Sequence, residues 1–299
     1  DITRYELLLG DDAYSLRVFG LKSAVEGLAI KEFPLRREQA AQESIAPTLG
    51  HYLPISVAHA WDDSQTTSDW VLHKRPQGTR IEVLLERDRN LGFEALGSLG
   101  RFIKTLHALG GAHFGPVGDS NGAEATWRAY FYGEWRRIAD VLAALVDRSY
   151  GERLCNAFDT YGVIFDAIDS PRFTHSGLMG WNVFVDTYSQ LQSITGWENA
   201  QWADSACEFT RLSSSNLDRP ALRMGYGPQL LSLTVEGQRR QRFYRSYLDF
   251  KMFVLTALSS KEKYQELSQK KHLLETYLLQ FELALADGYD PLSKPTSAL

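Results

Sequence analysis

The segment from Phe173 to Glu198 constrains the fold of this chain more than any other stretch. It contains His175 and Asn182, seven positions apart, in a loop with glycines. A short apolar strand over 183–186 and a turn follow this loop, and a second strand runs into the sequence Ile-Thr-Gly-Trp-Glu at 194–198. The order loop, strand, turn, strand has the layout of an active site.

Composition sets looser bounds on the class of protein. With 299 residues, 44% of them hydrophobic and 12% aromatic, the chain is long enough to bury a large core in one domain or two lobes. Its net charge of -5 argues against a nucleic-acid partner, because proteins that bind nucleic acids usually present a strongly basic face. The sequence shows neither a membrane-spanning apolar run nor a secretory leader, so we expect a cytoplasmic protein without a membrane partner.

Cysteine and histidine usage also fits a cytoplasmic protein, with reduced thiols and without a zinc-site pattern. The two cysteines, Cys155 and Cys207, are far apart and lack a CxxC partner, as is typical of reduced thiols in a cytoplasmic protein. The seven histidines show none of the spacings of a zinc site.

Residues 1–78 are predicted to form a small lobe built on an antiparallel sheet. Strand formers at 2–9 and 13–19 flank a Gly-Asp-Asp turn and predict a hairpin. A helix is predicted from Arg36 to about Ala46, ending before Pro47. Two further strands are predicted at 55–59 and 70–74, and the sequence Lys-Arg-Pro-Gln-Gly at 74–78 marks the predicted lobe boundary.

Residues 79–299 are predicted to form a second, mainly helical lobe that contains the loop region 173–198. Apolar residues recur at helical spacing over 93–109 and 126–146. One buried helix face is predicted at Phe243, Tyr247, Phe250 and Val254. Ser259 and Glu262 form a capping-box sequence for a last helix to about Ala286. The predicted fold class is α+β with two lobes.

Several motifs, in order and in spacing, resemble the aminoglycoside phosphotransferase family, the small-molecule branch of the protein-kinase-like fold. The spacing of His175 and Asn182 is that of kinase-type catalytic loops. The resemblance implies that Arg17 contacts the phosphates of ATP or another nucleotide and that Glu38 pairs with it. The run ending in His73 and Lys74 resembles the hinge that binds adenine, and Asn182 would contribute to the nucleotide site. The family's Leu-His helix end and later acidic pair are matched by Leu106, His107, Asp204 and Glu208.

Both aspartates essential to that chemistry are absent. The family's loop reads His-Gly-Asp-Leu-His-Pro-Gly-Asn, and Gly177 replaces its catalytic base, a loss that should cost roughly 10²–10⁴ in rate. Gly196 replaces the aspartate that would bind magnesium. Asn182 and Glu198 are the remaining candidate metal ligands, and Glu198 is the best candidate to restore catalysis, since an extended backbone would place it on the same face as residue 196. We assign no catalytic residue, and we expect magnesium binding to be weak or absent.

Each candidate also has a structural interpretation. His175 is expected to hold the loop through backbone hydrogen bonds. Asn182 either binds a cation or bonds to loop carbonyls. Arg17 with Glu38 is either a nucleotide clamp or a pair that joins sheet and helix. Trp181 and Trp197 either line an apolar binding surface or pack in the core.

We therefore interpret the chain as a pseudokinase, a family member whose transfer chemistry is lost or strongly weakened. It is expected to bind a protein or peptide partner, a small molecule in the former acceptor cleft, or a nucleotide without turnover, and to act as an accessory subunit of a biosynthetic or modification complex. The alternative is an active ATP-dependent phosphotransferase that acts on a hydroxyl of a small molecule or peptide, with Asn182 and Glu198 holding the magnesium. Fold alone does not decide between them.

Overall fold

The computed structural model describes residues 2–9, 12–20, 34–63, 68–119, 122–214, 217–227, 235–259 and 265–286. The strands are β1 (Ile2–Leu9), β2 (Asp12–Gly20), β3 (Ser56–Asp63), β4 (Ser68–Lys74), β5 (Thr79–Arg80), β6 (Gly115–Pro116), β7 (Arg172–Thr174), β8 (Val183–Val185), β9 (Leu191–Ile194) and β10 (Gln201–Ala203). The helices are α1 (Pro34–Leu49), α2 (Ile81–Arg87), α3 (Arg89–Ala108), α4 (Trp127–Leu145), α5 (Arg148–Tyr161), α6 (Ala206–Ser214), α7 (Pro220–Tyr226), α8 (Val235–Ser259) and α9 (Gln265–Ala286).

The predicted α+β class is confirmed, with an antiparallel sheet at the start and a mostly helical remainder. The chain divides into two compact units, residues 1–124 with 170–230, and residues 125–169 with 231–299. The lobe boundary at residue 78 stays a prediction. Part of the predicted hairpin turn (10–11) and the capping residue Glu262 lie outside the described residues. Of the helices described, none is long and apolar enough to cross a membrane.

The first unit opens with a four-stranded antiparallel sheet in the order β1-β2-β4-β3. The predicted hairpin is confirmed, since β1 pairs with β2 from Ile2 opposite Phe19 to Leu9 opposite Asp12. On β2, Arg17 lies opposite Val71 of β4. Side chains alternate along a strand, so Arg17 lies on the same face of the sheet as Val71. Residues two positions away from either of them, on the same strand, share that face.

Helix α1 packs through Leu35, Ala41, Ile45 and Leu49, all buried. The helix runs three residues beyond the predicted end and includes Pro47. The prediction of an end at about residue 46 was therefore wrong. A proline there removes one backbone donor and crowds the preceding turn, but Pro47 lies in the final turn, where the buried side chain of Leu49 still packs.

Two small sheets of the first unit carry the loop region. One has the order β6-β10-β7 and the other β5-β8-β9. The two strands predicted after the loop are confirmed as β8 and β9, which pair with Val183 opposite Ile194. Strand β7 leads into the loop, so the loop is held at both ends by hydrogen-bonded strands.

The second unit has an aromatic core formed by α4, α5, α8 and α9. Trp135 lies 5.3 Å from Phe243 and 5.3 Å from Phe281 between ring centroids. The predicted face of α8 is confirmed at Phe243, Phe250 and Val254, which are buried. Tyr247 on the same helix donates its hydroxyl to Glu134 at 2.8 Å.

Candidate functional site

The side chain of His175 is fully buried and holds the loop through two hydrogen bonds to backbone groups. Its Nδ1 accepts from the backbone N–H of Gly177 at 3.2 Å, so its Nε2 carries the proton and donates to the Thr195 carbonyl oxygen at 3.2 Å. Burial lowers the pKa of His175 to about 4. The neutral ring thus joins the loop to the end of β9, which is the structural role expected from the sequence.

Glu208 anchors the loop from the first turn of α6. Its Oε2 accepts from the backbone N–H groups of His175 at 2.7 Å and Ser176 at 3.1 Å. Burial raises the pKa of this carboxyl to about 7. Its neighbour Asp204 caps the same helix by accepting from the N–H of Ala206 at 3.0 Å. The sequence pointed to both acids but not to these roles.

Ser176 has a left-handed backbone, with φ of 56°. Its hydroxyl bonds to Thr174 Oγ1 at 2.8 Å and accepts from Gln201 Nε2 at 3.0 Å. The family that this chain resembles has glycine at this position, where a left-handed conformation carries no steric cost. Hydrogen bonds from β7 and β10 therefore hold a conformation that a serine rarely adopts.

Asn182 is buried, and both ends of its amide are engaged within the loop. Oδ1 accepts from the backbone N–H of Met179 at 2.9 Å, and Nδ2 donates to the carbonyl oxygen of Gly177 at 2.9 Å. A backbone N–H only donates and a carbonyl only accepts, so these partners fix which end of the amide is nitrogen. That nitrogen is the end that faces residue 196, because a Cβ on Gly196 would lie 3.2 Å from Nδ2.

Arg17, Glu38 and Glu198 form one ionic cluster. The guanidinium of Arg17 binds Glu38 through Nη1 and lies 3.3 Å from Glu198 Oε2 through Nη2. Burial raises the pKa of Glu38 to about 7, against the opposing effects of the Arg17 charge and of backbone hydrogen bonds from Trp197 and Gly196. The structure thus brings the predicted Arg17–Glu38 pair together and adds Glu198 to it.

The route of the backbone to Glu198 differs from the expectation. An extended backbone from 196 to 198 was assumed, and this was wrong, since Gly196 is left-handed with φ of 84° and Trp197–Asn199 is a 3-10 turn. Glu198 nevertheless approaches residue 196, because its Oε2 lies 3.6 Å from the position of a Cβ on Gly196. The turn, rather than the alternation of a strand, places the carboxylate there.

At the position of the missing base, a Cβ on Gly177 would lie 3.3 Å from Asn199 Nδ2.

The two candidate tryptophans differ in their exposure to solvent. Trp197 is fully buried and donates to the Ile194 carbonyl at 2.9 Å, so it is a core residue, whereas Trp181 is 52% exposed. An apolar surface shared by both rings was therefore a wrong alternative.

The two predicted hinge residues have different environments. His73 is buried, and burial, with smaller effects of nearby arginines, lowers its pKa to about 4. Its Nε2 has no hydrogen-bond partner among the described residues. Lys74 pairs with Asp12 at 2.7 Å on the surface. A cavity of about 270 Å³ lies between the start of β2 and the segment 74–78. Lys74 thus pairs at the rim of this cavity and not with the ionic cluster.

The residues at 182, 196 and 198 do not fit a magnesium ion. Magnesium binds oxygen ligands in near-ideal octahedral geometry. Gly196 has no side chain, Asn182 turns a nitrogen toward this position, and the one carboxylate, of Glu198, is paired with Arg17. Across the described ranges, His, Cys, Asp and Glu side chains form no group of three or more able to hold a metal ion.

Comparison with known proteins identifies the family and the fold of the chain. The family model of the phosphotransferase enzyme family (APH) matches residues 3–244. No curated protein sequence matches significantly. Among solved structures, the GDP and kanamycin complex of APH(2")-IIia has a TM-score of 0.63 at 17% identity, covering 93% of this chain and 90% of that one. A ternary complex of aminoglycoside phosphotransferase APH(4)-Ia with AMP-PNP and hygromycin B has a TM-score of 0.61 at 14% identity, covering 96% and 95%.

The fold, the family match and the arrangement of the loop lead to one assignment. The chain belongs to the phosphotransferase enzyme family and has the fold of the aminoglycoside phosphotransferases.

Proposed function

We propose that this protein binds its ligands without transferring phosphate, as a pseudokinase of its family. The observation that carries the proposal is the orientation of the Asn182 side-chain amide. Its nitrogen faces Gly196, while its oxygen accepts a hydrogen bond from the backbone N–H of Met179. Phosphoryl transfer in kinase-like enzymes depends on metal ions that neutralise the charge on the phosphates and on a base that orients the acceptor. Here the metal position offers a hydrogen-bond donor, and the base position is Gly177.

The parts that support ligand binding are better preserved than the parts that support catalysis. Arg17 and Glu38 keep the ion pair of the family, and His175 and Glu208 hold the loop. Solved relatives bind a nucleotide and an aminoglycoside together. The proposed ligands are therefore a nucleotide, a small molecule in the former acceptor cleft, or a protein or peptide partner. We also propose that the protein acts as an accessory subunit of a biosynthetic or modification complex. The cytoplasmic location also stays a prediction.

A transfer assay tests the proposal directly. The protein is incubated with ATP, magnesium and either hygromycin B or kanamycin, and ADP formation is followed beside an active aminoglycoside phosphotransferase. We expect turnover no higher than that of a blank without protein. Sustained transfer to either acceptor would contradict the proposal.

The second candidate function is an active phosphotransferase with a displaced metal ligand. One observation favours it, namely that Glu198 Oε2 lies 3.6 Å from the position of a Cβ on Gly196 and so reaches the place of the lost aspartate. If this candidate is right, the wild type transfers phosphate and Glu198→Ala abolishes the transfer, while Glu86→Ala on the exposed face of α2 leaves it intact.

A further inference from the structure

The guanidinium of Arg17 is buried and contacts two carboxylates of the chain. Nη1 binds Glu38, Nη2 lies 3.3 Å from Glu198 Oε2, and Nε is a buried donor without a partner among the described residues. Arg17 itself is only 5% exposed. A ligand that reaches this guanidinium must therefore take the place of one of the two carboxylates or repack the cluster.

Of the two carboxylates, Glu198 is the one that a ligand can displace. Its side chain is 27% exposed, whereas that of Glu38 is 1% exposed. Glu38 is also held by hydrogen bonds from the backbone of Gly196 and Trp197. Glu198 has only its contact with Arg17 among the hydrogen bonds described for its side chain. It stands between the buried guanidinium and solvent.

The charge of this arrangement opposes a phosphate chain. When both carboxylates are ionised, two negative charges face one guanidinium, so the cluster has a formal charge of -1 (1 positive, 2 negative). Because the pKa of Glu38 is raised to about 7, this carboxyl is partly protonated near neutral pH, and the cluster is then neutral with Glu198 still ionised beside Arg17. Like charges a few ångströms apart repel strongly when they are partly buried. A metal ion would relieve this repulsion in an active relative, but the residues at 182 and 196 do not fit one.

We infer that Glu198 is a specificity-determining residue, whose carboxylate occupies the phosphate-contacting side of Arg17 and makes the site favour a nucleoside over the corresponding nucleoside triphosphate. This inference rests on the proposed function, because it describes the ligand class of a site that binds without transfer. The physical basis is competition between an internal carboxylate and an external phosphate for one guanidinium, which binds both through similar charged hydrogen bonds.

The test measures binding of adenosine, ADP and ATP, in a chelator and without metal, to the wild type and to Glu198→Gln. Glutamine keeps the shape of the side chain and removes its charge. We expect ATP to bind Glu198→Gln at least about tenfold more tightly than the wild type, the loss of one close like-charge contact being worth about that much. Adenosine affinity should stay the same, and Glu86→Gln, an exposed glutamate on α2, should leave all three affinities unchanged.

Two further variants keep the test decisive. Arg17→Met in the Glu198→Gln background should remove the gain for ATP, since the gain depends on the exposed guanidinium. Glu198→Ala replaces Glu198→Gln if thermal melting shows that the glutamine variant is unfolded. The inference is overturned if the wild type binds ATP more tightly than adenosine, if removal of the carboxylate leaves ATP affinity unchanged or weaker, or if neither protein binds any of the three ligands.

The same samples distinguish this inference from the proposed function. Phosphate transfer by the wild type, measured after magnesium and an acceptor are added, would refute the proposed function whatever the affinities are. If the wild type shows no transfer and Glu198→Gln leaves ATP affinity unchanged, only the role of Glu198 is refuted, and the proposed function stands.

Discussion

Asn182 donates its side-chain amide to the carbonyl oxygen of Gly177 at 2.9 Å, so the retained polar residue of the loop is bonded to the backbone of the residue that replaced the base. The bond closes the loop without any contribution from a side chain at 177. The loop can therefore keep its shape after the chemical group at its centre is lost.

We predict that Asn182→Asp destabilises the protein by about 1–3 kcal/mol, because an acceptor would then face the carbonyl of Gly177 in a buried site. Urea unfolding of the variant and the wild type measures this difference. Asn199→Asp is the matched control, since Asn199 is exposed and should tolerate the change within about 0.5 kcal/mol. Equal stability of Asn182→Asp and wild type would show that the two bonds of this amide contribute little.

We predict that magnesium changes nucleotide affinity by no more than about threefold, because residues 182 and 196 offer the ion no oxygen ligand. Calorimetric titration of ADP with magnesium and with a chelator measures the ratio. An active family member titrated in parallel shows the size of a genuine metal effect. A strong tightening by magnesium would mean that Glu198 leaves Arg17 to bind the ion.

We predict that Gly177→Asp combined with Gly196→Asp does not create an efficient kinase, and that turnover stays at least roughly a hundredfold below that of an active relative. At 196 the new residue would need a left-handed backbone, and its Cβ would lie 3.2 Å from Asn182 Nδ2 and 3.6 Å from Glu198 Oε2. At 177 the new Cβ would lie 3.3 Å from Asn199 Nδ2. A rate equal to that of the relative would mean that the surrounding residues are already in place for catalysis.

We predict a pH dependence that belongs to Glu208. Its pKa is raised from 4.5 to about 7 in the folded protein. The folded state therefore holds more protons than the unfolded state between these values, and the contribution of this group to stability falls as pH rises through that window. Glu208→Gln does not titrate, so its free energy of unfolding relative to the wild type should increase from pH 4.5 to pH 7 by on the order of 1 kcal/mol.

The difference between the two proteins isolates this group, because the buried histidines and Glu38 titrate in both. Glu86→Gln, on the exposed part of α2, should follow the wild type across the same pH range. If the difference in free energy of unfolding between Glu208→Gln and the wild type does not change with pH, the pKa of Glu208 is not raised in the folded protein.

The sequence was sufficient for most of the helices and strands, but not for the contacts among the candidate site residues. Strand formers on both sides of a turn sequence predicted the β1–β2 hairpin, and the spacing of His175 and Asn182 predicted the loop, because both patterns are local. The orientation of the Asn182 amide depends on two backbone partners that adopt their positions only in the folded loop. The approach of Glu198 to Arg17 depends on a left-handed glycine followed by a 3-10 turn, which no periodic pattern encodes.

The left-handed backbone of Ser176 has a consequence for the order of folding. Its hydroxyl takes a hydrogen bond from Gln201, which lies 25 positions later in the chain, on β10. An isolated peptide with this loop sequence would lack that bond and would avoid the conformation, since a left-handed serine is unfavourable on its own. We therefore expect the loop to acquire its final shape only after β7 and β10 have paired, which would make it a late event in folding and not a nucleus for it.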